Sequence, residues 1–129
     1  MIAFKNEKDK DLILTLHPIL LMIFFDLAWY AKSRHGVDLT VTATKSTPEE
    51  DAALKRTSTA HQNGLALDIR SKNINVFITK DLVEYINSKE EYKDYRYMSF
   101  SGIDRLAYLH VGSAEHIHLA INKEFEDFN

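Results

Sequence analysis

The stretch Thr59-Ala60-His61-Gln62-Asn63-Gly64-Leu65-Ala66-Leu67-Asp68-Ile69-Arg70 decides how the rest of the chain is read. Thr57 to Asn63 has the small, polar composition of a loop, and Gly64 leads out of it. From there Leu65, Leu67 and Ile69 share one face of a strand, which leaves Asp68 on the opposite face beside the small Ala66. Upstream, Asp38 to Thr44 alternates apolar and hydroxyl residues, the period-two signature of a second strand with one buried face. Between the two, Thr47-Pro48-Glu49-Glu50 combines an N-cap hydroxyl, proline at the first helical position and glutamate three residues after the cap. It predicts a helix to about Lys55 or Arg56.

Further out, Leu16, Leu20, Ile23, Phe24, Leu27 and Tyr30 recur at three- and four-residue steps, so a buried helix precedes Gly36. Its apolar run is too short to span a bilayer and is broken by Asp26, while Asp9 and Asp11 stand where a signal peptide would be basic. Neither stable membrane insertion nor a signal peptide is expected. The first dozen residues read as a solvated lead-in, and Asn73 to Ile78 as an extended piece. Thr79 caps a predicted helix from Lys80 to about Glu91, with Leu82, Val83 and Ile86 inward. Arg105 to Val111 and Ile117 to Ile121 form a predicted hairpin about Gly112-Ser113-Ala114-Glu115. The sum is α+β: one domain over residues 1–129, with helices packed on a small, mainly antiparallel sheet.

Composition narrows the function. Sixteen basic against 19 acidic residues leave −3, without the basic footprint of a nucleic-acid binder. The absence of cysteine excludes disulfides and thiolate metal sites, so any metal falls to His, Asp and Glu. Four of the six histidines, His61, His110, His116 and His118, lie at or near the ends of the predicted strands, close to Asp68 and Glu115. A hydrolytic zinc site takes three protein ligands and keeps a fourth position for water. His61, Asp68 and His118 make such a set, with Glu115 as a non-ligand base; His116 shares a strand face with His118 and could take its place. Alone, His61 reads as a loop cap and Asp68 as a satisfied strand carboxylate; together, at this spacing, they point to metal chemistry. His17 and His35, at helix ends, read as structural, and His110 as structural or surface. Tyr92, Tyr95, Tyr97 and Phe100 suit a core or a substrate groove.

Thr59-x-His61-x-x-Gly64-x-Ala66-x-Asp68, followed by Glu115-x-x-His118, resembles the paired signature of the zinc D-alanyl-D-alanine peptidases. That family includes D,D-carboxypeptidases, D,D-dipeptidases and phage or bacterial L-alanyl-D-glutamate endopeptidases, and shares its fold with the Hedgehog signalling domain. The resemblance spans roughly residues 12 to 122 and includes the Thr47-Pro48 helix start. It implies a Hedgehog/D,D-peptidase-like fold, Zn2+ held by His61, Asp68 and His118, and Glu115 as catalytic base. It also implies a tight turn at Gly64 and a close approach of strand to metal at Ala66. Members usually carry an Arg before the Thr-Pro helix start, where this chain reads Lys45-Ser46. Lys45 can supply that charge without the fork of Arg; Arg56 and Lys55 are further candidates, and Thr59 and Arg56 are assigned to substrate binding.

The function so implied is zinc-dependent hydrolysis of amide bonds in peptidoglycan stem peptides by a monomeric endolysin, an L-alanyl-D-glutamate endopeptidase. It would be made in the host cytoplasm and act on the cell wall. A D-alanyl-D-alanine carboxypeptidase or dipeptidase is the nearest alternative, and a virion-packaged enzyme would share the chemistry. A catalytically silent zinc domain that binds peptidoglycan or a protein partner is the alternative from another class.

Overall fold

A computed structural model describes residues 1–98, 102–111 and 115–128, the last three by backbone only. Five strands form one sheet in the order β1-β2-β3-β7-β6: β1 Ile2–Phe4, β2 Leu39–Ala43, β3 Ala66–Arg70, β6 Ala107–His110 and β7 His116–Ala120. The β1–β2 pair is parallel and the other three pairs are antiparallel, so the chain is a small α+β domain with a mostly antiparallel sheet. β4 (Tyr97–Met98) and β5 (Asp104–Arg105) make a separate two-stranded ribbon that the sequence did not suggest. The helices are α1 Glu7–Leu12, α2 Pro18–His35, α3 Pro48–Ala53 and α4 Val76–Ser88.

Alternation along the strands sorts the sheet into two faces. Leu39, Val41, Leu67, Ile69, Ile117 and Leu119 are fully buried in one core with Leu20, Ile23, Phe24 and Leu27 of α2 and Leu82 and Ile86 of α4. Each such side chain contributes about 1.5–3 kcal/mol by leaving water, which is the main force holding α2 and α4 on the sheet. The helix ends follow local chemistry. His17 Nδ1 accepts the Ile19 N–H at 3.1 Å, Pro18 occupies the first turn, and Gly36 closes α2 at φ +66°. The Thr47/Glu50 capping box is present in both directions.

Four expectations need correction. The N-terminal residues are not a lead-in: Ile2–Phe4 is a strand, and buried Asp9 accepts the backbone N–H and the hydroxyl of Thr44 at 3.1 and 2.7 Å. The edge strand is only the three apolar residues Ile2-Ala3-Phe4, too short for a period to show ahead of the charged run that starts at Lys5. α3 stops at Ala53, because Lys55 turns left-handed at φ +56° and the Arg56 N–H bonds back to Asp51 O at 2.9 Å. Residues 73–78 are not extended. Asn75 accepts the Phe77 N–H at 2.8 Å and starts α4 at Val76, so Thr79 is a buried residue inside the helix, which ends at Ser88 rather than Glu91. The fourth is the first arm of the hairpin: Asp104–Arg105 belongs to the ribbon, and β6 starts only at Ala107. Of the expected turn, residues 112–114 lie outside the described residues.

α2 is tied to the segment after α4 through one carboxylate. Asp26 accepts hydrogen bonds from the hydroxyls of Tyr85 and Tyr92 at 2.7 and 2.6 Å, and Lys89 Nζ lies 3.2 Å away. Burial alone would raise the Asp26 pKa, but these hydrogen bonds and the Lys89 charge outweigh it and hold the carboxyl below its ordinary value. A carboxylate whose pKa is depressed by folding contributes stability above its unfolded pKa, and that contribution is lost as pH falls through the folded value. Asp26→Asn is therefore expected to flatten the acid limb of the stability curve below about pH 4 and to lower stability at neutral pH, as denaturant titrations across pH would show.

Candidate metal centre

The polar face of the sheet is built by register. Asp68 on β3 pairs with His118 on β7, which pairs with Tyr108 on β6, so the three side chains share one face. Two residues along, Arg70, His116 and His110 form a second such row. In β2 the register slips between Val41, opposite Ile69, and Ala43, opposite Asp68, which brings both Thr42 and Ala43 to the wall of the cleft.

His61 arrives from the loop. That loop is closed by the Leu65 N–H on Ala60 O at 2.9 Å, and the Gly64 carbonyl accepts the His17 N–H at 2.9 Å, which anchors it to the start of α2. Gly64 sits at φ +72°, a conformation that costs a residue with Cβ about 1–2 kcal/mol. Gly64→Ala is expected to lower the unfolding free energy measured by denaturant titration by that amount and to weaken metal affinity, because the same turn sets His61.

The donor atoms converge on one carboxylate oxygen. Asp68 Oδ1 lies 3.0 Å from His118 Nδ1, 3.3 Å from His61 Nε2 and 3.6 Å from His116 Nε2. His61 Nδ1 is 2.9 Å from the Thr44 carbonyl, which only accepts, so that nitrogen donates and Nε2 is the ring atom turned to the cluster. Thr44 is in turn fixed by Asp9, so the N-terminal segment steadies a site residue at one remove. Asp68 Oδ2 faces Arg56 Nη2 at 3.4 Å, while Arg56 Nη1 donates to Asp51 at 3.0 Å. Asp51 is itself buried and accepts from Ser46 and Gln62, both at 2.7 Å.

Asp68 is 4% exposed, and burial alone would push its carboxyl up. Hydrogen bonds and charge from His118 and His61 win, and hold it far below the carboxylate range. Burial pulls His118 below its ordinary pKa despite the attraction of Asp68, and neutral imidazole is the form that binds metal.

One ligand atom from each of His61, Asp68 and His118 lies within 4.8 Å of the others, and these three residues could hold a metal ion. Donors about 2.0–2.2 Å from a tetrahedral ion stand about 3.3–3.6 Å apart, close to the 3.0 and 3.3 Å separations here. Two imidazoles and a carboxylate are donors that zinc and its first-row neighbours accept.

Glu115 lines the same cleft, is exposed, and accepts from Ser71 Oγ at 3.3 Å. Arg56 and Lys55 line it too. Lys45 lines an adjoining recess with Asn6, Lys8, Asp9 and Glu50, where Lys8 and Glu50 are paired. Thr59 is exposed and accepts from Asn63 at 3.3 Å, outside the cleft lining. Of the aromatic group, Tyr97 stands edge-on to His118 at 6.4 Å, Tyr92 serves Asp26, Tyr95 packs on Phe125 at 5.2 Å, and Phe100 lies outside the described residues. His110 stacks on His116 at 4.9 Å in the cleft wall. Sequence reasoning missed Tyr108, whose ring is 5.2 Å from His118, and Arg70. Both were findable by period: Tyr108 lies two residues before His110, and Arg70 two after Asp68. Compared with family models, curated proteins and solved structures, the chain gives no match.

Proposed function

We propose that the protein is a zinc metallopeptidase that hydrolyses amide bonds in peptidoglycan stem peptides, an L-alanyl-D-glutamate endopeptidase of the endolysin kind on a Hedgehog/D,D-peptidase-like fold. The observation that carries this reading is the convergence of His61 Nε2, Asp68 Oδ1 and His118 Nδ1, with Glu115 on the wall of the same cleft. A zinc ion bound there supplies Lewis acidity and lowers the pKa of its water to about 7.

The chain's own groups do the rest. Glu115 takes a proton from the attacking water and returns it to the leaving amine. Arg56 fixes Asp68 through Oδ2, so that Oδ1 keeps its aim, and its guanidinium is the cation set to meet negative charge on the carbonyl oxygen. That assigns to Arg56 the part the resemblance gave to Lys45, whose recess shares Thr42, Ala43, Leu54 and Arg56 with the cleft. Tyr97 and Tyr108 flank His118 and give it an apolar surround.

The test is digestion of purified peptidoglycan with and without a chelator, with the new termini identified by mass spectrometry. New N-terminal D-glutamate is the expected product. Released D-alanine would move the assignment to a carboxypeptidase, and no cleavage by metal-loaded protein would overturn the enzyme reading in favour of a wall-binding domain.

A further inference from the structure

The longest apolar run of the chain lies in α2, and it goes all the way round the helix. From Ile19 to Trp29 the one charged residue is Asp26, and it is turned to α4 and the segment after it, where Tyr85, Tyr92 and Lys89 hold it. Leu20, Ile23, Phe24, Leu27 and Ala28 are fully buried. On the opposite side Met22, Phe25 and Trp29, at steps of three and four, form one stripe that is 46%, 42% and 63% exposed. A surface helix ordinarily sets polar side chains on that side, whereas a helix that is apolar all round is covered on every side. Among the described residues no helix is long and apolar enough to cross a membrane, so a span does not account for the stripe.

Area and spacing say what covers it. A whole aromatic side chain covers about 150–250 Å², so these exposed fractions leave about 300 Å² of apolar surface along one helix face. That is the scale at which an exposed patch marks an interaction site, and with Pro18, Lys32 and Ser33 as its rim it centres an interface of about 600–800 Å² per protomer, the small end of the stable range. Aromatic and methionine side chains at the centre with charge only at the rim is the makeup of such an interface. A two-fold contact further needs a face complementary to itself. When two copies of α2 pack antiparallel about an axis beside Phe25, Met22 of each copy falls opposite Trp29 of the other, and the two Phe25 rings flank the axis. Thioether against indole is a favourable contact, and no charge is buried. A lipid surface fits less well, because the chain carries −3 and Lys32, the cation at the edge of the stripe, is paired with Asp38 at 3.0 Å.

We propose that the protein forms a two-fold dimer through Met22, Phe25 and Trp29 of α2, in place of the monomer expected from the sequence. The small apolar centre sets a Kd of about 10–100 µM. α2 covers the core face of the sheet, whereas the metal donors stand on the other face. The dimer therefore leaves both clefts open on its two outer sides, and one particle carries two sites.

Sedimentation equilibrium of the full chain, from well below to well above that range, is the test. The mass is expected to rise from 14.9 kDa toward twice that value, and the emission of Trp29, the one tryptophan of the chain, to shift to the blue over the same range. Met22→Lys and Trp29→Glu are each expected to weaken association at least about tenfold at an unchanged melting temperature, since both side chains are largely in water in the single chain. Combined in one chain, the two changes set opposite charges against each other twice across the axis, and association should recover above that of either alone. Val111→Gln, at an exposed apolar residue on the hairpin, should leave the mass curve unchanged. A mass of 14.9 kDa at every concentration would overturn the dimer. So would a Trp29 shift that requires phosphatidylglycerol vesicles instead of concentration, which would make a lipid surface the occupant. A dimer untouched by Trp29→Glu would overturn α2 as its location, and a double variant no better than the single ones would overturn the antiparallel pairing. Because association is read without turnover, it stands or falls separately from the peptidase reading.

Discussion

Glu115→Gln is expected to keep its zinc and to lose about 10²–10⁴-fold in the rate of peptidoglycan cleavage, the range that a positioned general base supplies. The side chain is exposed and its one described hydrogen bond is the 3.3 Å contact with Ser71, so nothing in the core depends on its charge. The variant should therefore melt with wild type and bind metal with the same stoichiometry. Measured together, metal content, melting temperature and rate separate the possibilities. Zinc bound with activity gone identifies the base; zinc bound with wild-type activity removes Glu115 from the chemistry; zinc lost shows that Glu115 has a part in holding the ion.

Asp68→Ala carries the largest expected effect on the folded state. Among the described residues its carboxylate lies within 4 Å of His61, His116 and His118, and it is also one of two anchors of Arg56. Removing one partner of a buried charged set costs about 3–5 kcal/mol, because the remaining groups keep their desolvation without their attraction. The variant also loses the metal, and with it the linkage stabilisation of about 4 kcal/mol that a ligand at a thousand times its Kd contributes. Thermal melts with zinc and with a chelator test both parts. Wild type should shift strongly upward with zinc, and Asp68→Ala should melt lower in chelator and show no zinc shift. A zinc shift that survives in Asp68→Ala would place the ion elsewhere.

How much of this was legible depends on the range of the interactions. The capping box at Thr47, the Gly36 stop and the alternation of Leu65, Leu67 and Ile69 are local, and each appears as read. The strand period also placed His116 and His118 on one face; the register sets His118 opposite Asp68 and His116 opposite Arg70, and both rings come within 3.6 Å of Asp68 Oδ1. The start of α4 was misread because Val76-Phe77-Ile78 has the composition of a strand, while the decisive contact is a single hydrogen bond from the Phe77 N–H to Asn75. The N-terminal strand and buried Asp9 were illegible for a different reason. Their partners, Leu39 to Val41 and Thr44, are more than thirty residues away, and neither a three-residue apolar stretch nor the charged run around Asp9 announces a long-range partner. The same holds for Arg56, whose place between Asp51 and Asp68 depends on the left-handed turn at Lys55, a conformation that residue type does not signal.

Anomalous diffraction at the zinc edge from crystals of the zinc-loaded protein would test the central claim most directly. One peak is expected, bonded to His61 Nε2, Asp68 Oδ1 and His118 Nδ1, with a remaining position open toward Glu115. A peak at other side chains, or none in protein shown to carry one equivalent of zinc, would contradict it.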